Sequence, residues 1–347
     1  MNGMTDVWLE ENLPKYELLG KFIVFILENQ LQLNGIDYLS VTHRTKTKEG
    51  VYEKIIRKSY KDPFNDLMDF SGVRVILYFE SDIEKVSSII ESLFNIDTKN
   101  SINNEQRLSS NKIGYRSIHY VCDIGDKRKD LAEYETISNL RCEIQVRTML
   151  QHAWAELTHD RNYKLHGKLP LEIERKINLY SGMLEIADIG FSEIISTVSD
   201  YRTLLNSKDI TNSTTQTIDS ISLIEFVKQV VKEIGLDVEE PKVKSEAFMN
   251  ELLAEIEFMG ITTFAELKSL IPDNYAKAYT EFNERFSYLG FIRDLLLIKD
   301  FRKLHTCPNL NWCVLGDEDP EVFDQAVKFY SNFMPEEEAR SMVQLFE

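Results

Sequence analysis

Three things are scarce in this chain: cysteine, long apolar runs and positive charge. Four cysteines in 347 residues are too few for a disulfide framework, and Cys122 and Cys142 fall inside apparent strands, where a reduced thiol packs as a small hydrophobe. No apolar run reaches the roughly eighteen residues a membrane span needs, and the segment Met1 to Glu10 lacks the basic-then-apolar order of a signal peptide. A cytoplasmic protein without membrane attachment is expected. With 40 Lys and Arg against 57 Asp and Glu, the net charge is −17. That excludes general affinity for nucleic-acid backbones, which accumulated cations must supply.

Against this acidic background one basic stretch stands out, Val41 to Lys61, with Arg44, Lys46, Lys48, Lys54, Arg57, Lys58 and Lys61 opposed only by Glu49 and Glu53. The chain is 43% hydrophobic and 28% charged. It is also longer than one ordinary domain, so a catalytic unit plus a further unit is expected. Residues Pro14 to Leu33 carry apolar side chains at helical spacing, with Pro14 near the start and Gly35 as the stop. A short strand is expected over Ile36 to Thr42 and a helix over Gly50 to Ser59. The run Gly72 to Phe79, GVRVILYF, reads as a buried strand, and Ile83 to Phe94 as the helix that covers it.

Further strands are expected at Ser117 to Cys122 and Leu140 to Arg147, with another within Ile96 to Arg107, and helices over Thr148 to Lys164 and Leu171 to Leu205. Asn206 to Ser220, NSKDITNSTTQTIDS, reads as a linker. Beyond it the pattern is helical, with strand character only around Trp312 to Leu315. The expected division is an N-terminal helix over 1–35, an α/β domain with trailing helices over 36–205, a linker over 206–220 and a mostly helical domain over 221–347.

Chemistry concentrates in three places. Asp69 opens D-F-S-G-V-R just before the buried strand, with Gly72 allowing close backbone approach and Arg74 inside the strand. In R-C-E-I-Q-V-R-T, alternation sets Arg141, Glu143, Gln145 and Arg147 on one face and Cys142, Ile144 and Val146 on the other. A face so polar requires solvent or a ligand. If the two strands are neighbours, Asp69 and Glu143 meet as a pair of carboxylates suited to Mg²⁺, which keeps waters and bridges phosphates, while the basic run supplies countercharge. Phosphoryl-type transfer needs little more than metal, cationic clamps and an oriented hydroxyl. The third place is G-Y-R-S-I-H, Gly114 to His119, where Tyr115 can stack on a base; the same hexapeptide also fits a loop entering a strand with a core histidine.

These residues resemble the RelA/SpoT-type alarmone synthetases, which transfer the β,γ-pyrophosphate of ATP to the 3′-hydroxyl of GDP or GTP. The resemblance rests on R-T-K with a lysine following (Arg44, Lys46, Lys54), D-F-S-G-V-R (Asp69, Arg74), G-Y-R-S-I-H, and E-I-Q-V-R-T (Glu143 to Thr148), in that order. The trailing Q-H-A-W-A-E-L-T-H-D-R-N-Y-K, with Trp154, His159, Tyr163 and Lys164, extends it. It implies a nucleotidyltransferase-like α/β fold, a mixed sheet of about five strands flanked by helices. It also implies roles: Arg44 and Arg74 sandwiching adenine, Lys46 and Lys54 on ATP phosphates, Asp69 on Mg²⁺ with Glu143 beside it, and Glu143 orienting or deprotonating the attacking hydroxyl. Tyr115 would stack on the acceptor base, with His119, Gln145 and Arg147 lining the site and Arg107 or Lys112 on acceptor phosphates.

Two departures from the family pattern stand out, of which the second bears on the acceptor. Gly50-Val51-Tyr52 stands where the family has a serine-bearing helix, and Ser110-Asn111-Lys112-Ile113 precedes Gly114. Some relatives resemble toxins or phage-defence proteins that use the same ATP site to modify tRNA 3′ ends or to make an adenosine alarmone, so tRNA is the alternative partner. The C-terminal domain would then restrain the enzyme, bind a regulatory partner or form a homo-oligomer. With only about forty residues before the synthetase motifs, the hydrolase domain of the family's bifunctional members is not expected here. Neither His152, His159 and Asp160 on one helix nor His305, Cys307 and Cys313 offers a complete metal-ligand pattern.

Overall fold

The computed structural model describes residues 3–103, 117–164, 170–236, 238, 246–282, 287–308, 310–314 and 320–346. The chain divides into two compact units, Met1–Ser196 and Thr197–Glu347.

The first unit is organised by its alternating strands. Strand β6 (Cys142–Thr148) buries every second residue, and strand β2 (Ser71–Leu77) does so as far as Val75, after which Ile76 and Leu77 are both buried. They pair in parallel, Val73 with Ile144 and Val75 with Val146. Strand β1 (Tyr38–Thr45) lies antiparallel along the other edge of β2, and β5 (Ile118–Asp123) antiparallel to β6. The short strands β3 (Asn95–Ile96) and β4 (Ile102–Asn103) both pair with β5, which gives the mixed order β1-β2-β6-β5-β3 among the described residues. The parallel β2/β6 pair requires a crossover, and the helix Ile83–Leu93 lies within it.

One face of the sheet is apolar. Val73, Val75, Ile144 and Val146 are fully buried there, with Leu19, Ile23 and Leu27 from the helix Gly3–Leu33 and Val86 and Ile90 from Ile83–Leu93. Each such side chain contributes about 1.5–3 kcal/mol on burial. The opposite face carries the polar members of the same strands.

Several boundaries differ from expectation for identifiable reasons. The first helix starts at Gly3 and holds Pro14 inside it. An internal proline costs about 3 kcal/mol. The extra turns recover this through fully buried Leu9 and through Trp8, whose ring lies 4.2 Å from Phe64 and 5.5 Å from Phe70. The helix ends as expected at Gly35, φ +63°, with Gly35 N–H donating to Gln32 at 3.1 Å and Ile36 N–H to Leu31 at 3.0 Å.

Strand β1 continues past Thr42 to Thr45 because its polar end pairs with Gly72 and Ser71. The next helix, Lys48–Lys58, starts two residues early because the Thr47 hydroxyl accepts from Gly50 N–H at 3.2 Å. The strand expected within Ile96 to Arg107 is split by a turn that Asp97 holds, accepting from the backbone of Lys99 and Asn100. Its last part, 104–107, lies outside the described residues.

The second unit is helical in its described residues: Ser220–Glu233, Glu246–Phe258, Phe264–Ser269, Tyr275–Phe282, Tyr288–His305, Pro320–Tyr330 and Glu336–Leu345. Phe226 stacks on Phe264 at 4.8 Å, and Leu295, Leu296 and Met342 complete a core with no solvent exposure. No strand forms over Trp312 to Val314, where Val314 N–H instead donates to Phe346 at 2.9 Å.

The polar stretch expected as a linker lies in this unit. Ile210 and Thr211 are buried, Ser213 accepts from Ala265 N–H at 3.1 Å, and Asp219 with Ser222 forms a capping box. Its Ser, Thr and Asn content serves turns and caps. All four cysteines are free, and the His305 ring packs on Phe346. No described helix is long and apolar enough to cross a membrane.

Candidate functional site

Strand register alone assembles most of the polar face. Arg44, Gly72 and Glu143 face one another across β1, β2 and β6, and in the next row Thr42, Arg74, Gln145 and His119 do the same as far as β5. Arg147 follows beyond Gln145 on β6. A central strand flanked on both sides would ordinarily bury residues on both faces. Here one face presents charged and amide groups.

Asp69 sits at the entry to β2. Lys46 N–H donates to Phe70 at 2.9 Å and so extends the β1/β2 ladder by one step, which carries the Lys46 side chain to Asp69. Lys54 arrives from the helix Lys48–Lys58. Both ammonium groups reach the same oxygen, Lys54 Nζ at 2.6 Å and Lys46 Nζ at 2.8 Å from Asp69 Oδ2. Burial pushes the Asp69 pKa up, but the two lysines outweigh it and hold the carboxyl below its usual range. The other oxygen, Oδ1, is buried with no hydrogen-bond partner. A partnerless buried carboxylate oxygen is costly, and this one lies where two lysines already leave an excess of positive charge for an anion.

Glu143 is the centre of a hydrogen-bonded chain. Its Oε1 lies 3.0 Å from His119 Nδ1, and its Oε2 accepts from Gln145 Nε2 at 2.6 Å. Gln145 Oε1 in turn accepts from Arg147 Nη2 at 2.7 Å, which fixes the amide's orientation. His119 Nε2 lies 2.8 Å from Ser117 Oγ. Burial raises the Glu143 pKa and the Asp69 charge adds to this, yet the hydrogen bond and charge of His119 prevail, so the group is held ionised. An ionised Glu143 can only accept, so His119 Nδ1 carries the hydrogen of that bond.

Along the far edge, Arg74 Nη1 meets Glu156 Oε1 at 2.9 Å, from the helix Met149–Lys164 that follows β6. Burial, and then the neighbouring charge of Arg74, hold the Arg147 guanidinium below its usual pKa. Glu156, paired with Arg74, offsets part of this. His152, one turn before Glu156, is 3.9 Å from it, and its Nδ1 is buried without a hydrogen bond. Burial is the main reason its pKa falls.

The structure thus brings Arg44, Lys46, Lys54, Asp69, Arg74, His119, Glu143, Gln145 and Arg147 onto or beside one sheet face. Tyr115, Lys112 and Arg107 lie outside the described residues. Sequence reasoning passed over Ser117 and Glu156. Ser117 lies inside G-Y-R-S-I-H, and the spacing of His152 and Glu156, four apart on a helix, was the available signal for the second.

The site's donors suit a hard cation. Asp69 Oδ1 is an unused carboxylate oxygen, and Glu143 lies near enough for Asp69 to shift its ionisation. Among the described residues no group of three or more His, Cys, Asp or Glu forms a cage. As donors, Asp69 and Glu143 suit Mg²⁺, which takes one or two carboxylates and keeps its waters.

Comparison with known proteins gives the same region a relative. Residues 43–168 match the family model described as a region found in RelA / SpoT proteins. The chain is 28% identical over 173 residues to GTP pyrophosphokinase YjbM of Bacillus subtilis (strain 168), spanning 48% of this chain and 77% of that protein. It is 31% identical over 137 residues to GTP pyrophosphokinase YwaC of the same organism, spanning 38% of this chain and 60% of that one. Among solved structures, small alarmone synthetase 1 from Bacillus subtilis is similar, with 25% identity, a TM-score of 0.47, and coverage of 56% of this chain and 99% of the other.

Proposed function

The chain belongs to the RelA/SpoT family through residues 43–168, and from that premise we propose that it transfers the β,γ-pyrophosphate of ATP to the 3′-hydroxyl of GDP or GTP, making a guanosine alarmone. One observation carries the reading: Asp69 gives one oxygen to two lysines and keeps the other buried and without a partner. Most buried carboxylate oxygens have a partner; Glu225 in the second unit also lacks one at Oε2, but its other oxygen lies 3.7 Å from Lys228, whereas Asp69 has two lysines within 2.8 Å. This one fits the meeting point of a divalent cation and a polyphosphate.

In this reading Lys46 and Lys54 move from Asp69 onto the phosphates, whose charge exceeds that of one carboxylate. Arg44 on β1 and Arg74 on β2 flank the adenine as two planar cations. Asp69 and Glu143 would hold Mg²⁺, which would supply charge neutralisation at the transferred group. Glu143 orients the attacking hydroxyl and accepts its proton. The bonds from His119 and Gln145 hold its carboxylate in one rotamer, so orientation is already set before substrate arrives. Arg147 adds positive charge beyond Gln145, and Tyr115 stacks on the acceptor base with Lys112 on its phosphates.

The test is a thin-layer assay with γ-labelled ATP and Mg²⁺, offering GDP, GTP, AMP, ATP and tRNA. Label on a guanosine nucleotide is the expected outcome. Label on tRNA, or on an adenine nucleotide, would replace this acceptor with that of the family's toxic or phage-defence members. The separately packed unit Thr197–Glu347, which falls outside the matched residues, would then act as the restraint on such an activity.

A further inference from the structure

Gly72 occupies the middle of a central strand, where glycine weakens pairing and contributes no side chain to packing. Nothing in the fold requires it. Its φ is not in the left-handed region. A Cβ built there would meet only Arg44 O at 3.8 Å and Glu143 O at 4.0 Å, both ordinary contacts. A close approach by another segment of the chain is therefore not what the glycine provides.

What it provides is empty space over the polar face. Gly72 pairs with Arg44 on one side and Glu143 on the other, so the position its side chain would take lies between those two. Two strand spacings separate Arg44 from Glu143, about 10 Å. In the proposed reaction these residues handle opposite ends of the donor, its base and the point of attack, so the polyphosphate must run between them. Reacting atoms must also come within about 3–3.5 Å of one another. A side chain at position 72 would stand in that path.

We propose that Gly72 is a specificity-determining floor of the donor subsite, kept bare so that the triphosphate of a nucleoside triphosphate can lie against the backbone of β2 between Arg44 and Glu143. This rests on the donor assignment made above. It separates two requirements that are usually confounded at a glycine, because the fold tolerates a methyl group there and the ligand does not.

The experiment uses the full chain with Gly72→Ala and Gly72→Val. Thermal melting is recorded for each, and binding of ATP with Mg²⁺ and of adenosine is measured by NMR titration. Gly72→Ala is expected to melt at or above the wild-type temperature and to bind ATP about tenfold more weakly. Gly72→Val should weaken ATP further, and adenosine should bind all three proteins alike. Wild-type ATP affinity in Gly72→Ala, equal loss of adenosine and ATP, or a lowered melting temperature for the alanine variant would each overturn the proposal. Failure of the wild type to bind ATP at all overturns the donor assignment and this proposal with it, whereas ATP binding by wild type and alanine variant alike overturns this proposal alone.

Discussion

Two aspartates, one in each unit, are treated in opposite ways. In the second unit Asp294 is buried with both oxygens consumed, Oδ2 by Tyr275 at 2.8 Å and Oδ1 by Tyr330 at 2.6 Å. Burial dominates, and its pKa is pushed up to about 7. Glu255 is likewise consumed, held by Arg293 Nε and Nη2 at 3.0 and 2.8 Å and by Trp312 Nε1 at 2.8 Å, with the guanidinium stacked on the indole. In the first unit Asp69 keeps an oxygen in reserve, and the cations around it hold its pKa down. An unpartnered oxygen alone does not mark a site, since buried Glu225 of the second unit also has one at Oε2; Asp69 differs in having two lysines on its other oxygen and a place beside the polar sheet face. Asp294 and Asp69 thus differ both in partner count and in the sign of the pKa shift.

The largest effect that could break this contrast is loss of the reserved oxygen's charge. Asp69→Asn should lower turnover about 1000-fold with little change in melting temperature, read by product formation and by circular dichroism. Comparable losses of turnover and folding would place Asp69 with Asp294. Next, Glu143→Gln should retain ATP binding by calorimetry and lose transfer by about 100-fold. Equal turnover by variant and wild type would remove Glu143 from the chemistry.

A third test uses the opposite signs of the shifts. Asp294 has a folded pKa raised above its unfolded value, so native protein binds the extra proton. Its contribution is full below the unfolded pKa and is lost as pH rises toward about 7. Asp69 and Glu143 have lowered folded pKa values, so their contribution is present above the unfolded pKa and is lost on acidification. Amide hydrogen exchange followed by pH should therefore show protection around Asp294 falling between about pH 4 and 7 while that around β2 does not, a divergence on the order of a few kcal/mol. Parallel pH dependence in the two regions would contradict the assignment. The smallest expected effect is at Glu156, where an exposed ion pair contributes about 0.2–1 kcal/mol. Glu156→Gln should raise the KM for ATP about two- to fivefold and leave kcat nearly unchanged, and the effect should vanish in an Arg74→Ala background.

Strands β2, β5 and β6 were legible because burial alternates along them or fills them with β-branched residues, and the polar set Glu143, Gln145 and Arg147 followed from the same alternation. The end of β1 was not, since His43-Arg44-Thr45 has no apolar member and is a strand only because Ser71 and Gly72 pair with it. Pro14 misplaced the helix start because its cost is visible locally and the compensating Trp8 and Leu9 packing is not. The stretch 206–220 read as a linker because Asp, Ser and Thr carry one composition whether they face solvent or cap a helix, as Asp219 does. In the site, residue types and spacing pointed to Asp69 and Glu143 from the chain alone. The division of labour between the two oxygens of Asp69 is a tertiary fact, since Lys46, Lys54 and Asp69 come from three different segments.

The most direct measurement of the central claim is the Mg²⁺ dependence of ATP binding, by calorimetry of the full chain and of Asp69→Asn at matched ionic strength. The account predicts that Mg²⁺ strengthens ATP binding to the wild type and that this gain disappears in the variant. An identical gain in both proteins would contradict it, because the reserved oxygen of Asp69 would then hold nothing.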